Sequence, residues 1–229
     1  MSAIELKQVS KSYREPQSGA EVPVLENLDF SLERGESTAI VGPSGCGKST
    51  LLNLIGTLDR CDSGTISLLG QDVTLISEKE AAPWRASKIG FIFQAHHLLP
   101  QLTVQENVLL PTLALPKQDR PSKQQAIDRA RELLEAVGLS GRADFRPGQI
   151  SGGERQRCAV VRALVNGPAI LLADEPTGAL DEKNAHGLAD LLAQLQETAQ
   201  LALVVVTHDA DIARRMGTAR TMQAGHLLP

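Results

Sequence analysis

Gly42-Pro43-Ser44-Gly45-Cys46-Gly47-Lys48-Ser49-Thr50 is the stretch from which the fold can be predicted. Its first eight residues fit the phosphate-binding pattern G-x-x-x-x-G-K-[ST]. A short strand-like run, Ser37 to Val41, precedes it, and a helical repeat of leucine and isoleucine follows from Leu51 to Leu58. In this setting, backbone N–H groups at the helix N-terminus converge on phosphates, while Lys48 reaches the β and γ oxygens and Ser49 ligates Mg²⁺. The stretch therefore predicts an α/β fold that binds a nucleotide.

Two kinds of strand pattern flank this stretch. Ala3 to Val9 alternates apolar and polar residues, and Val22 to Leu32 is a second strand-like run, which together predict an antiparallel edge. Ile170 to Ala173 and Leu201 to Val206 are continuous apolar runs, as in parallel strands that are buried on both faces. We therefore expect a mainly parallel core sheet with an N-terminal antiparallel β subdomain.

The residues between Ala95 and Val165 have a helical character. Thr103-x-x-Glu106 is the signature of a capping box, and an apolar stripe at helical spacing ends at Gly138. These features predict an inserted helical subdomain, residues 95–165. The nucleotide-binding core then consists of residues 1–94 and 166–229, within a single domain that spans residues 1–229.

Polar residues directly follow three of the apolar runs. They are Gln94, Asp174 with Glu175, and His208. Ligands of open α/β sheets bind beyond the carboxyl ends of the strands, so we expect these side chains beside the phosphate loop. Asp174 is suited to hold Mg²⁺, with Gln94 reaching the same metal, and Glu175 to orient the attacking water as the general base. His208 can hydrogen-bond the γ-phosphate.

A second segment has the character of a helix N-terminus built for an anion. Ile150-Ser151-Gly152-Gly153-Glu154-Arg155-Gln156-Arg157 places Ser151 as the N-cap beside bare glycine backbone. No strand precedes the segment, and it lies in the predicted helical subdomain. Such a site is expected if the bound phosphate belongs to a second molecule. The alternative is an ordinary glycine-containing cap with a solvated arginine face.

Composition excludes several classes of protein. The chain has 229 residues, with 23 Lys and Arg against 27 Asp and Glu, so its charge of −4 argues against a partner nucleic acid. Its apolar runs are far shorter than the roughly 18 residues that cross a bilayer, and its first residues lack the pattern of a secretory leader. Three scattered cysteines argue against a disulfide framework and a zinc site. We therefore expect a cytoplasmic protein.

Together these motifs resemble the nucleotide-binding subunits of ABC transporters, which are P-loop NTPases. Six segments match the motifs of that family in the expected order. They are Gly42 to Thr50 as Walker A, Gln94 as the Q-loop, Ile150 to Gln156 as the signature, Ile170 to Glu175 as Walker B, Ala179-Leu180-Asp181 as the D-loop and His208 as the switch histidine. The resemblance covers essentially the whole chain and implies an ATPase that uses ATP and Mg²⁺.

The resemblance also implies an assembly. Two copies would form a head-to-tail dimer in which Ser151, Gly152 and Gly153 of one copy close over the ATP held by the Walker A loop of the other, with the D-loop residue Asp181 at the same nucleotide. Tyr13 matches the aromatic residue that the family places against adenine. An integral-membrane permease would bind the dimer at the cytoplasmic face of the inner membrane, with Gln94 to Thr103 as the expected contact.

Within the family, several phrases resemble the group that powers lipoprotein release and MacB-type export, among them Gln94 to Pro100 and Asp174 to Gly178. Ala179 departs from the Asn that is usual in that group, and Ile150 from the usual Leu. Two alternatives remain. A soluble ABC-type ATPase that acts on DNA, ribosomes or cluster assembly is disfavoured by the acidic balance of the chain. A regulatory nucleotide binder without turnover is disfavoured by the intact Glu175 and His208.

Overall fold

The order of helices and strands follows the predicted α/β pattern. The protein is described by a computed structural model that covers residues 2–16 and 18–228. The elements are β1 (Ser2–Arg14), β2 (Glu21–Glu33), β3 (Ser37–Val41), α1 (Lys48–Ile55), β4 (Ser63–Leu68), β5 (Gln71–Asp72), α2 (Glu78–Lys88), β6 (Ile89–Phe93), α3 (Val104–Leu109), α4 (Lys123–Ala136), α5 (Gly152–Leu164), β7 (Ile170–Asp174), α6 (Glu182–Ala199), β8 (Ala202–Thr207), α7 (Ala210–Arg214), β9 (Thr218–Gln223) and β10 (His226–Leu228).

The strands form two sheets, as the sequence predicts. The N-terminal sheet has the order β2-β1-β4-β5, and its neighbouring strands pair antiparallel. The second sheet has the order β10-β9-β3-β8-β7-β6, and every pair in it is parallel except β10 with β9. Strands β7 and β8 lie inside this sheet and are almost fully buried, which explains why their sequences are continuous apolar runs.

Helix α1 packs between the two sheets. Its apolar residues Leu51, Leu54 and Ile55 belong to one buried cluster with residues of β1 and β2 and with the face of the parallel sheet that includes Ile40 and Val206. The helix begins directly after Gly47, so the phosphate loop has almost no freedom between β3 and α1. The hydrophobic contacts of this helix therefore fix the position of the loop.

Residues 95–165 form helices and short 3-10 turns. Capping boxes begin α3 at Thr103, α4 at Ser122 and α5 at Ser151, and α4 is followed by Gly138 at a φ of 71°. Apolar residues of α3, α4 and α5 share a second buried cluster with β7, β8 and α6. The helical character of this region agrees with the predicted fold class. The exact bounds of the helical subdomain stay a prediction. So does the single domain over residues 1–229, which includes Met1, Gln17 and Pro229 outside the described residues.

Several elements were not predicted from the sequence. Helix α2 has an interior proline, Pro83, and buries only Ala81, so it lacks the apolar stripe that reveals a helix. The capping box between Ser77 and Glu80 was the available signal. The short strand pairs β4–β5 and β9–β10 were missed for a similar reason, since β5 and β9 are mostly exposed and polar. None of the helices in the described ranges has the length and apolarity needed to cross a membrane.

A single buried amide joins the segment after β6 to helix α3. Asn107 is fully buried, and its Nδ2 donates to the carbonyl oxygens of Leu99 at 3.1 Å, Leu102 at 3.2 Å and Thr103 at 2.9 Å. The N–H of Leu99 donates to Oδ1 of Asn107 at 2.7 Å. This side chain therefore adds to the few backbone hydrogen bonds of residues 99–103, which include Leu102 N–H to the Leu99 carbonyl at 3.2 Å.

We predict that Asn107→Ala lowers the free energy of unfolding by about 3 kcal/mol, because it removes a fully buried amide together with its hydrogen bonds to the Leu99 N–H and to the Leu99 and Leu102 carbonyl oxygens. The melting temperature should fall by roughly 10 °C, measured by calorimetry or circular dichroism. Gln105→Ala, a truncation at a partly exposed position of the same helix, is the control and should change stability by less than about 0.5 kcal/mol. Equal melting temperatures for the two variants would contradict the role given to Asn107.

Candidate functional site

A groove of about 820 Å³ lies where β3, β6, β7 and β8 end. It is lined by the phosphate loop and by the polar residues that follow the strands: Val24, Ser44, Gly45, Gly47, Lys48, Ser49, Thr50, Phe93, Gln94, Ala95, His97, Asp174, Glu175 and His208. The carboxyl ends of parallel strands meet at one edge of a sheet, which is where such folds bind ligands. The structure therefore brings together the side chains that the sequence placed at strand ends.

The glycines of the loop allow its backbone to approach its neighbours closely. Gly45 and Gly47 have φ angles of 79° and 109°, which side-chain-bearing residues rarely adopt. A Cβ at Gly47 would lie 2.8 Å from Leu25 Cδ2 and 2.9 Å from the Val24 carbonyl oxygen, and one at Gly42 would lie 2.3 Å from the Met222 carbonyl oxygen. The loop is thus held by packing with its N–H groups available to a phosphate.

Lys48 is buried and held by the loop itself. Its Nζ donates to the carbonyl oxygens of Gly42 at 2.8 Å and Pro43 at 2.9 Å. No ion pair is formed by Lys48 with a carboxylate of the described residues. Its positive charge is therefore available to a ligand that carries negative charge.

Next to Lys48, the Ser49 hydroxyl and the Asp174 carboxylate provide oxygen atoms that could ligate a metal ion. Burial raises the pKa of the Asp174 carboxyl, while its hydrogen bond with the Ser49 side chain and the charge of Lys48 act in the opposite direction. The described residues contain no cluster of three or more His, Cys, Asp and Glu that could hold a metal. A hydroxyl and one carboxylate fit Mg²⁺, which is usually bound by one or two protein oxygens together with phosphates and water.

Glu175 and His208 form a pair at the ends of β7 and β8. Nδ1 of His208 lies 2.9 Å from Oε1 of Glu175. The other carboxylate oxygen, Oε2, is buried and accepts no hydrogen bond within the described residues. Glu175 has a φ of 46°, and its N–H donates to the Val206 carbonyl oxygen at 2.9 Å. This strained backbone places Glu175 in the lining of the groove with its carboxylate held by His208, a position suited to a general base.

Gln94 reaches the groove from the edge strand β6. Its side chain packs against the turn after Glu175, because a Cβ at Gly178 would lie 2.8 Å from Gln94 Nε2. Gln94 thus lies against the turn that follows the Walker B segment. Gln94 is exposed, so its amide remains accessible from the groove.

Tyr13 lies outside the groove but beside the loop. Its ring is 40% exposed, its hydroxyl donates to Oδ2 of Asp59 at 2.7 Å, and it also interacts with the side chain of Thr50. Lys11 Nζ lies 5.0 Å from the ring centroid and 3.1 Å from Oδ1 of Asp59. The sequence analysis missed Asp59, the residue that orients the tyrosine, since no motif includes it.

The signature residues and the D-loop residue lie apart from the groove. Ser151 caps α5 by accepting from the N–H of Glu154 at 3.2 Å. Asp181 caps α6 by accepting from the N–H of Asn184 at 3.0 Å, and a Cβ at Gly153 would lie 3.1 Å from Oδ1 of Asn184. The N-termini of α5 and α6 are therefore neighbours. The groove lining does not include Ser151, Gly152, Gly153 or Asp181. Within one chain the two predicted phosphate sites are therefore separate.

Comparisons with known proteins agree with this geometry. The family model described as ABC transporter matches residues 25–178. The chain is 47% identical over 223 residues to the lipoprotein-releasing system ATP-binding protein LolD 1 of Rhodopirellula baltica, covering 97% of this chain and 95% of that protein. It is 45% identical over 226 residues to LolD of Pseudomonas fluorescens, covering 98% and 96% of the two chains.

Solved structures give the same result. The dimeric structure of MJ0796, described as a bacterial ABC transporter cassette, is similar with a TM-score of 0.88 and 39% identity, covering 98% of this chain and 96% of that one. A post-hydrolysis dimer of MJ0796 bound to ADP and Pi also has a TM-score of 0.88, at 38% identity. The chain therefore belongs to the ABC transporter family, as an ATP-binding subunit with ATPase activity.

Proposed function

We propose that the chain is the ATP-hydrolysing motor of a transporter for lipoprotein release or MacB-type export. The observation that carries this proposal is the similarity to LolD proteins over almost the full length of both chains. A soluble ABC-type ATPase that is not coupled to transport is the alternative. Purification of the chain from detergent-solubilised source membranes tests the proposal: a bound permease supports it, and the absence of any membrane partner favours the alternative.

In this proposal the groove binds ATP with Mg²⁺. The Walker A residues Gly42, Pro43, Ser44, Gly45, Cys46, Gly47, Lys48, Ser49 and Thr50 hold the phosphates, and Tyr13 stacks on the adenine. Ser49, Asp174 and Gln94 hold the metal, which supplies charge neutralisation at the β- and γ-phosphates. The support for these assignments is the close approach of the loop backbone and the set of oxygen donors beside Lys48.

Glu175 is proposed as the general base and His208 as the residue that keeps it oriented and contacts the γ-phosphate. The 2.9 Å contact between Nδ1 of His208 and Oε1 holds the Glu175 carboxylate at the edge of the groove, where it would accept a proton from water. Gln94 contacts the same turn through Gly178, so a change at the γ-phosphate can move the segment after Gln94. These three residues form the proposed catalytic set.

The proposed working unit is a head-to-tail homodimer. Ser151, Gly152 and Gly153, with Asp181, do not line the groove of their own chain, and a second copy would bring them to it. The dimeric assembly of the similar MJ0796 cassette supports this arrangement. The dimer would be peripheral to the inner membrane, on its cytoplasmic face, through an integral-membrane permease, and no nucleic acid is involved.

The proposed permease contact is the exposed part of Gln94 to Thr103. Leu98 is partly buried and packs against the second buried cluster, whereas Leu99 is 40% exposed. Asn107 binds both the N–H and the carbonyl oxygen of Leu99, so the Leu99 side chain is held in one position. Leu99 is therefore the residue of this segment with which the contact can be tested.

We predict that Glu175→Gln lowers the ATPase rate constant by roughly 10²- to 10⁴-fold, because the amide cannot accept the proton of the attacking water. ATP binding should persist, and the variant should accumulate as a closed dimer in size-exclusion chromatography with MgATP. Glu197→Gln, the same change at an exposed position near the end of α6, is the control. Near-normal turnover by Glu175→Gln would rule out its assignment as the base.

Lys48→Ala should instead weaken ATP binding. Removal of a charge-assisted contact to phosphate corresponds to a roughly 10- to 100-fold increase in Kd. Fluorescent nucleotide titration measures this constant, with Lys123→Ala on the exposed side of α4 as the control. An unchanged Kd for Lys48→Ala would contradict the phosphate-binding role of the loop.

Leu99→Asp should leave the basal ATPase of the isolated subunit unchanged and abolish binding to the permease and stimulation by it. The control is Leu228→Asp, because Leu228 is similarly exposed, at 43%, and lies on β10 at the opposite edge of the sheet from β6. Co-purification with the permease and ATPase assays of the reconstituted complex measure both effects. Full stimulation of the Leu99→Asp complex would refute this contact.

A further inference from the structure

Side chains of α5 hold the backbone of the segment that contains Gln94. Gln156 is fully buried, and its Nε2 donates to the Phe93 carbonyl oxygen at 3.3 Å. Arg162 donates through its two terminal nitrogens to the carbonyl oxygens of His96 and His97, each at 2.6 Å. One helix therefore binds three carbonyl oxygens, one just before Gln94 and two just after it.

The backbone that these side chains hold is strained. His96 and His97 have φ angles of 53° and 50°, so two successive residues that carry side chains adopt the left-handed conformation. Such a conformation persists only where the surrounding structure compensates for it. The two short hydrogen bonds from Arg162 provide that compensation, since they bind the carbonyls of the strained residues themselves.

The charge of Arg162 is used for this contact alone. Among the described residues Arg162 forms no ion pair with a carboxylate, and it is only partly exposed. A guanidinium donates in a fixed planar fork, which a lysine ammonium cannot reproduce. The fork thus matches two adjacent carbonyl oxygens in a single geometry.

We propose that Arg162 and Gln156 are positioning residues that fix Gln94 relative to the signature helix. Helix α5 begins at the signature glycines and reaches Arg162 about 15 Å further along its axis, so it connects the two places directly. A displacement of the signature by the partner's nucleotide would move the 93–97 carbonyls and with them Gln94. The two ATP sites of the dimer would then communicate through one helix. This inference rests on the role proposed above for Gln94.

A double-mutant cycle tests the proposal in the full-length chain. Arg162→Gln should lower kcat roughly 10- to 100-fold in the wild-type background, because Gln94 loses its position, with the Kd for ATP within about twofold. In the Gln94→Ala background the same change should lower kcat by less than about twofold, since the residue it positions is already gone. Arg131→Gln, an exposed arginine on α4, is the matched control and should have no effect in either background.

Two further measurements separate positioning from general destabilisation. Hydrogen exchange should become faster at the amides of residues 94–98 in Arg162→Gln and remain unchanged in β7 and β8. Arg162→Lys, which keeps the charge but loses the fork, should give an intermediate kcat, and it replaces Arg162→Gln in the cycle if that variant does not fold. Gln156→Leu should show the same dependence on Gln94.

The outcomes distinguish this proposal from the proposed function. Equal losses of kcat from Arg162→Gln in both backgrounds, or exchange that rises throughout the chain, would overturn the positioning role. If Gln94→Ala itself leaves turnover unchanged, the catalytic role of Gln94 is wrong. Absence of ATPase activity in the wild-type chain would contradict the motor function.

Discussion

The site depends on one packing constraint, which is the absence of space for side chains at Gly42 and Gly47. The loop between these glycines is confined by the backbone of β9 at Met222 and by the residues of β2 at Val24 and Leu25. Because β2 and β9 belong to different sheets, the loop is positioned only when both sheets are packed on α1. The apolar core and the phosphate site therefore form together, and a core defect between the sheets is also a defect of the site.

The same geometry separates the signature residues from the groove of their own chain. The groove gathers the loop, the Asp174–Ser49 pair and the Glu175–His208 pair, held by the ends of buried parallel strands and by the start of α1. The signature glycines lie elsewhere, at the start of α5. In the proposed dimer, the phosphate loop of a second copy would lie against these glycines. Helix α5 would then connect that contact to Gln94.

The sequence predicted the parts of the fold that have strong local signals. Strand β3 was predicted at its observed bounds, and the strand-end residues were predicted beside the loop, where four of them line the groove. Helix α2 was missed because its burial is slight and Pro83 interrupts its pattern. The contacts made by Asp59, Gln156 and Arg162 were missed, although Gln156 was included in the signature, because each joins residues 46 to 66 positions apart in sequence, which no local pattern contains. Long-range hydrogen bonds are the part of the site that requires the structure.

The central claim is that each ATP is bound between residues of two copies. Complementation between two impaired variants tests it most directly, assayed at an ATP concentration below the raised Kd of Lys48→Ala, at which that variant is inactive. Lys48→Ala disables the loop, and Gly152→Asp adds a negative charge to the signature at a position where a Cβ meets only Arg155 at 3.8 Å, so the fold is spared. In a head-to-tail dimer of one chain of each kind, one site carries both lesions and the other carries neither. We predict that an equimolar mixture recovers up to about a quarter of the wild-type ATPase activity. A mixture as inactive as its two components would contradict the account, because the loop and the signature would then belong to the same site.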